Sequence, residues 1–169
     1  MIALALCLGL LSPAALAPTA ATRHAPWTLD EVLAALREVE SGGSPDGGRN
    51  ARGDGGRALG PYQIHRAYWQ DARVPGRYED CRDPAYARRV VEAYWRRWCA
   101  RALADVDAEV LARVHNGGPQ GHTKAATRAF WTKVERALVR ARQRAEALAL
   151  GPLSAGRPAC APAPAGARG

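Results

Sequence analysis

Trp27-Thr28-Leu29-Asp30-Glu31-Val32-Leu33-Ala34-Ala35-Leu36-Arg37-Glu38-Val39-Glu40-Ser41-Gly42-Gly43 is the stretch whose reading decides the fold. Thr28 followed three positions later by Glu31 is a capping box, the reciprocal side-chain and backbone pairing that starts a helix. Leu29, Val32, Leu33, Leu36 and Val39 then recur at helical spacing. Ser41-Gly42-Gly43 stops the helix, because glycine enters the left-handed conformation of a helix end without strain. At about 100° per residue, Glu40 falls within about 20° of the line through Leu29 and Leu33. It therefore points with the apolar stripe, at the last turn, whereas Asp30, Glu31 and Glu38 lie off that stripe. A carboxyl against apolar walls, at the negative end of a helix dipole, is in the environment that a proton donor near neutral pH requires.

Beyond Gly43 the helical period vanishes until Gly60. Asp46-Gly47-Gly48 and Asp54-Gly55-Gly56 are turn signals, so this insert is expected to form a loop or short irregular hairpin. Gly60-Pro61 predicts a short helix with Pro61 in its first turn, carrying Tyr62, Gln63, Ile64, His65, Tyr68 and Trp69. Asp83-Pro84 caps a predicted helix to about Leu103, and Asp105 opens another to His115, stopped by Asn116-Gly117-Gly118-Pro119. A last helix is expected from Thr123 to before Gly151-Pro152. The fold class is thus mainly α, with a small Gly-rich loop or hairpin beside it.

The chain has 169 residues and a formal charge of +8, enough for one domain and not comfortably for two. Arginine supplies nearly all of the positive charge, since lysine occurs only as Lys124 and Lys133. Such a balance attracts polyanions such as cell wall or nucleic acid. No nucleic-acid reader motif accompanies it, and nucleic acid is not the expected partner. Ile2–Leu11 is too short to span a bilayer and reads as the apolar core of a signal peptide, with cleavage after Ala17 or Ala21. The expected organisation is a leader over 1–21, a catalytic domain over 24–150 and an Ala/Pro/Gly-rich tail over 151–169. The product would be a secreted or periplasmic monomer with no membrane insertion. Cys81, Cys99 and Cys160 show no metal-ligand spacing, so neither a metal nor a cofactor is expected. Export would permit a Cys81–Cys99 bridge, leaving Cys160 in the tail.

Three ordered segments then carry a specific resemblance. Glu40-Ser41-Gly42-Gly43 with the glycine-rich insert, Gly60-Pro61-Tyr62-Gln63-Ile64-His65 followed by Ala67-Tyr68-Trp69, and Val114-His115-Asn116-Gly117-Gly118-Pro119 with Phe130-Trp131 resemble the invertebrate-type lysozyme family. The resemblance covers roughly residues 36–134 and extends to the wider lysozyme and lytic transglycosylase group. It implies an α+β lysozyme-like fold and a glycosidase that cleaves β-1,4 bonds of peptidoglycan or a related N-acetylated glycan. In the implied mechanism Glu40 protonates the glycosidic oxygen, and Asp54 stabilises or covalently traps the oxocarbenium ion. Asp46 is the rival for that second role. Ser41, Tyr62, Gln63, His65, His115, Asn116 and Gly117 are the substrate-binding candidates. Two departures from the family are visible: Leu59 precedes Gly60 where a cysteine is common, and the insert has no cysteine. A lytic transglycosylase using Glu40 alone is the near alternative. A non-catalytic basic protein that binds wall or nucleic acid on the same scaffold is the alternative of another class.

Overall fold

The computed structural model describes residues 26–150; the expected leader, the tail, Cys7 and Cys160 lie outside the described residues. Helix α1 spans Leu29–Ser41. Its capping box is complete: the Glu31 amide donates to Thr28 Oγ1 at 3.2 Å, and the Thr28 amide donates to Glu31 Oε2 at 2.7 Å. Such a cap contributes about 1 kcal/mol. Gly42 closes the helix in the left-handed conformation, with φ 64°.

The insert folds as a hairpin of two short strands, β1 (Arg52–Gly53) and β2 (Ala58–Leu59), joined by a 3-10 turn over Asp54–Gly56. A third strand, β3 (Ile64–His65), completes an antiparallel sheet of order β1-β2-β3, with Gly53 opposite Ala58 and Leu59 opposite Ile64. The expected helix from Gly60 is therefore corrected. Gly60 and Gln63 both take left-handed backbone conformations, φ 72° and 48°, so residues 60–63 turn between β2 and β3. The Gly60 carbonyl accepts both the Gln63 amide (3.1 Å) and Gln63 Nε2 (2.8 Å), closing that turn. Helix α2 begins only at Arg66 and runs to Ala72.

Helix α3 (Pro84–Trp98) starts on Asp83, whose side chain accepts the amides of Ala85 and Tyr86. It does not continue to Leu103: Cys99 leaves the helical region at φ −148°, ψ 48°, and α4 (Ala100–Asp105) follows as a separate turn. Val106 then takes a left-handed conformation and Asp107, not Asp105, caps α5 (Ala108–Gly117). Two 3-10 turns fill residues 121–127, so α6 (Arg128–Ala149) starts later than Thr123.

The expected Cys81–Cys99 bridge is also corrected, since both thiols are free. They flank the two ends of α3, whose 15 residues hold them about 20 Å apart, far beyond disulfide reach. What holds the fold instead is apolar packing. Val32, Leu33 and Leu36 of α1 share one core with Val134, Ala137 and Leu138 of α6, and with Val90, Val91 and Trp95 of α3. Trp95 Nε1 donates to the Leu111 carbonyl (3.0 Å), locking α3 to α5. The sheet is pinned by Tyr78, the first residue of the 3-10 turn Tyr78–Arg82 that precedes α3, whose hydroxyl proton is shared between the Arg57 and Ile64 carbonyls at 2.7 and 2.8 Å.

Candidate active site

Three segments converge on one cleft of about 470 Å³: the end of α1, the hairpin with β3 and α2, and the end of α5. The carboxyl of Glu40 lines its floor and keeps 19% of its side-chain surface exposed. Asp54 lines the cleft from the hairpin tip, with 49% of its side chain exposed. The two carboxylates predicted to share the chemistry therefore meet in one cavity, in different environments.

His115 organises the floor. Its ring is buried between Tyr68 and Tyr62, and its Nε2 stands 3.1 Å from the Tyr62 carbonyl and 3.5 Å from Glu40 Oε1. A carbonyl can only accept, so Nε2 carries a proton. In the neutral ring, Nδ1 then accepts the Tyr68 hydroxyl at 3.2 Å. Burial pushes that hydroxyl well above its ordinary pKa, which keeps it a donor. Tyr68 is itself stacked on Tyr94 with ring centroids 3.7 Å apart, so contacts run from Tyr94 through Tyr68 and His115 to the neighbourhood of Glu40.

Asp54 is held ionised. The Arg57 guanidinium donates to Oδ1 at 2.7 Å and holds the carboxyl below its usual range, helped by the charges of Arg57 and His65. His65 Nε2 lies 3.9 Å from Oδ2. Asp54 and Gln63 also adopt positive φ, 49° and 48°, and both line the cleft. Backbone strain of this kind persists where the surrounding structure fixes it, and it clusters at functional sites. Gly53 leaves room for the Gln63 side-chain amide: a Cβ there would crowd Gln63 Oε1 and push that amide aside.

Of the residues singled out in the sequence, Glu40, Asp54, Gln63, His65, His115 and Asn116 line this cavity. Three predicted substrate contacts stand elsewhere. The Tyr62 ring is buried in the core, only 3% exposed, and its carbonyl rather than its ring serves the site. Ser41 Oγ turns back to the Arg37 carbonyl (2.8 Å). Gly117 packs against Thr127, where a Cβ would come within 2.5 Å of Cγ2. Asp46, the rival of Asp54, is not part of the cavity: its two oxygens accept the amides of Gly48 (2.9 Å) and Asn50 (3.0 Å), closing the loop. Sequence reasoning missed Asp71 and Tyr94. Asp71 stands three residues after Tyr68 on α2, the same helix face, and that spacing was a usable signal.

A helical domain with a three-stranded antiparallel sheet and two unlike carboxylates facing one cleft defines the α+β lysozyme-like class. Among known proteins, the Destabilase family model matches residues 31–137. The chain is similar to Lysozyme 1 of Crassostrea virginica, at 35% identity over 108 residues, covering 62% of this chain and 57% of that one. It is similar to an invertebrate-type lysozyme of Ruditapes philippinarum, at 31% identity, covering 63% of this chain and 79% of that one. Among solved structures it resembles Tapes japonica lysozyme, with TM-score 0.53, 31% identity and coverage of 62% of this chain and 85% of that one. It also resembles a chain in the complex of Meretrix lusoria lysozyme with Aeromonas hydrophila PliI, with TM-score 0.52 and 30% identity, over 63% of this chain and 87% of that one. The chain spans 57% and 61% of the length of the Crassostrea virginica and Ostrea edulis lysozymes. It belongs to the Destabilase family, that of the invertebrate-type lysozymes.

Proposed function

We propose that this chain is an exported glycosidase, a lysozyme cleaving β-1,4 bonds of peptidoglycan, with Glu40 as the acid and Asp54 as the anionic partner. The observation that carries the reading is the meeting of Glu40 and Asp54 in one cleft, one sheltered beside His115, the other exposed and held ionised by Arg57. Protonated Glu40 gives its proton to the glycosidic oxygen as the bond to the sugar breaks. The Nε2–H of His115, 3.5 Å from Glu40 Oε1, orients the carboxyl and faces the carboxylate left after transfer. Asp54 meets the positive charge that develops at the anomeric carbon. Gln63 from the turn before β3 and Asn116 from the end of α5 both line the cleft and offer amide groups to sugar hydroxyls or N-acetyl groups. The lysozyme names of its relatives support the substrate class.

The export reading rests on the apolar N-terminal segment alone, although no helix among the described residues is long and apolar enough to cross a membrane. Digestion of purified peptidoglycan, followed by mass spectrometry of the fragments, tests the reaction. New reducing ends are expected. Anhydro-muramyl ends would instead identify a transglycosylase relying on Glu40. Binding without any new ends would leave the non-catalytic wall-binding reading.

A further inference from the structure

A second groove, of about 440 Å³, opens beside the cleft between the end of α2 and the last turns of α3, and Asp71 lines both. Its other charged walls are Arg73, Arg96 and Arg97. Most arginines elsewhere on this surface are neutralised: Arg57 by Asp54, Arg88 by Asp30, Arg101 by Asp105, Arg140 by Glu38. Among the described residues, none of the three groove arginines lies within ion-pair distance of a carboxylate.

Two further features show that this charge is placed rather than loose. The Arg97 guanidinium lies 5.0 Å from the centroid of the exposed Trp98 ring, a cation–π contact that restrains this groove-lining side chain. Arg73 is the residue after α2 and takes the left-handed conformation, φ 53°, that glycine adopts without strain. An arginine at that position carries its charge into the groove at the expense of helix-end stability.

We propose that this groove is an anion-binding extension of the cleft, in which Arg73, Arg96 and Arg97 hold carboxylate or phosphodiester groups borne by the polymer being cleaved. The proposal rests on reading the cleft as a glycan site. A chain threading from Glu40 past Asp71 would bring its charged substituents onto three arginines against a single carboxylate. Guanidinium forks pair with both anion types in the same bidentate geometry.

The test is co-sedimentation in a Glu40→Gln background, which prevents digestion. The probes are bacterial wall sacculi with their phosphate polymers, sacculi stripped of them, and neutral chitin. The triple variant Arg73→Gln/Arg96→Gln/Arg97→Gln is expected to weaken retention on sacculi at least fivefold at low salt, leaving chitin retention as it was. Loss on both kinds of sacculi identifies carboxylates as sufficient; loss only on unstripped sacculi identifies phosphodiesters. The matched variant Arg128→Gln/Lys133→Gln/Arg136→Gln removes the same charge from α6. An equal effect from that variant, an equal loss on chitin, or no loss on sacculi would overturn the proposal. Arg73→Gly provides an independent arm: a higher Tm with weaker retention is expected, and a higher Tm with retention intact would remove Arg73 from the site. Because sedimentation needs no turnover, groove-dependent binding by a wild-type protein that releases no new glycan ends would separate failure of the glycosidase reading from failure of this one.

Discussion

His115 Nε2 donates to the Tyr62 carbonyl at 3.1 Å and stands 3.5 Å from Glu40 Oε1, so one ring nitrogen faces both the turn before β3 and the end of α1. The other ring nitrogen is engaged by Tyr68 on α2. The imidazole thus contacts three segments at once: the end of α1, the turn before β3 and α2.

His115→Ala should therefore cost about 2–4 kcal/mol, because it leaves the buried Tyr62 carbonyl and the Tyr68 hydroxyl without partners and opens a void beside them. Urea denaturation measures the loss. A change below about 0.5 kcal/mol would mean that water replaces the ring without penalty.

Arg57→Gln should move the acid side of the pH–rate profile upward. Asp54 is held below the usual carboxylate range first by its hydrogen bond from Arg57 and then by the charges of Arg57 and His65. Removing the guanidinium lets the carboxyl protonate at higher pH, so activity that needs ionised Asp54 fails earlier as pH falls. The same sign governs stability: a lowered carboxyl favours the fold above its unfolded pKa, and that contribution disappears as pH falls through the lowered value. Asp54→Asn should abolish the limb together with most of the activity. Asp46→Asn should mainly loosen the loop that its two backbone hydrogen bonds close. An unmoved limb in Arg57→Gln would detach Asp54 from the rate.

Gly60→Ala should destabilise the protein by about 3 kcal/mol, combining left-handed strain with a backbone clash. Gly60 has φ 72°, and an added Cβ would lie 2.0 Å from the Cys81 carbonyl oxygen. Thermal or urea unfolding reads the cost. A neutral result would show that the 60–63 turn is free to shift away from Cys81.

Reductant should leave the Tm unchanged, because Cys81 and Cys99 are unbridged. Burial pushes the Cys81 thiol up to about 12 and the Cys99 thiol to about 11. The thiolate is the reactive form, so both should alkylate slowly at pH 8 in the folded protein and rapidly in urea. Peptide mapping after timed iodoacetamide treatment distinguishes the two. A Tm that drops on reduction would contradict the fold's reliance on apolar packing.

Much of this arrangement was legible in the chain itself. Local rules determine α1, because the Thr28–Glu31 box, the leucine stripe and Gly42 all act within a few residues, and the phase of that stripe already aims Glu40 inward. The paired glycines around Asp54 likewise announce the hairpin. Other features depend on distant partners. Nothing local signals that Gln63 would adopt a left-handed conformation to close on Gly60, so Pro61 reads as a helix start and Tyr62 as a cleft residue. The break at Cys99 comes from how α4 turns back toward α5, and no glycine or proline marks it. Asp71 shares a helix face with Tyr68 at a spacing of three residues, but only the packing of α2 beside α3 and α5 makes that face a wall of the cleft.

The central claim is that Glu40 supplies the proton in this cleft, and Glu40→Gln tests it most directly. The amide keeps the shape and the neighbourhood of His115 but has no proton to give to the leaving oxygen. Clearance of a suspension of purified bacterial walls, followed beside the circular dichroism and Tm of the same preparation, is the measurement. The account predicts a rate lowered by about a hundredfold or more with the fold unchanged. Clearance near the wild-type rate by a folded Glu40→Gln protein would contradict it.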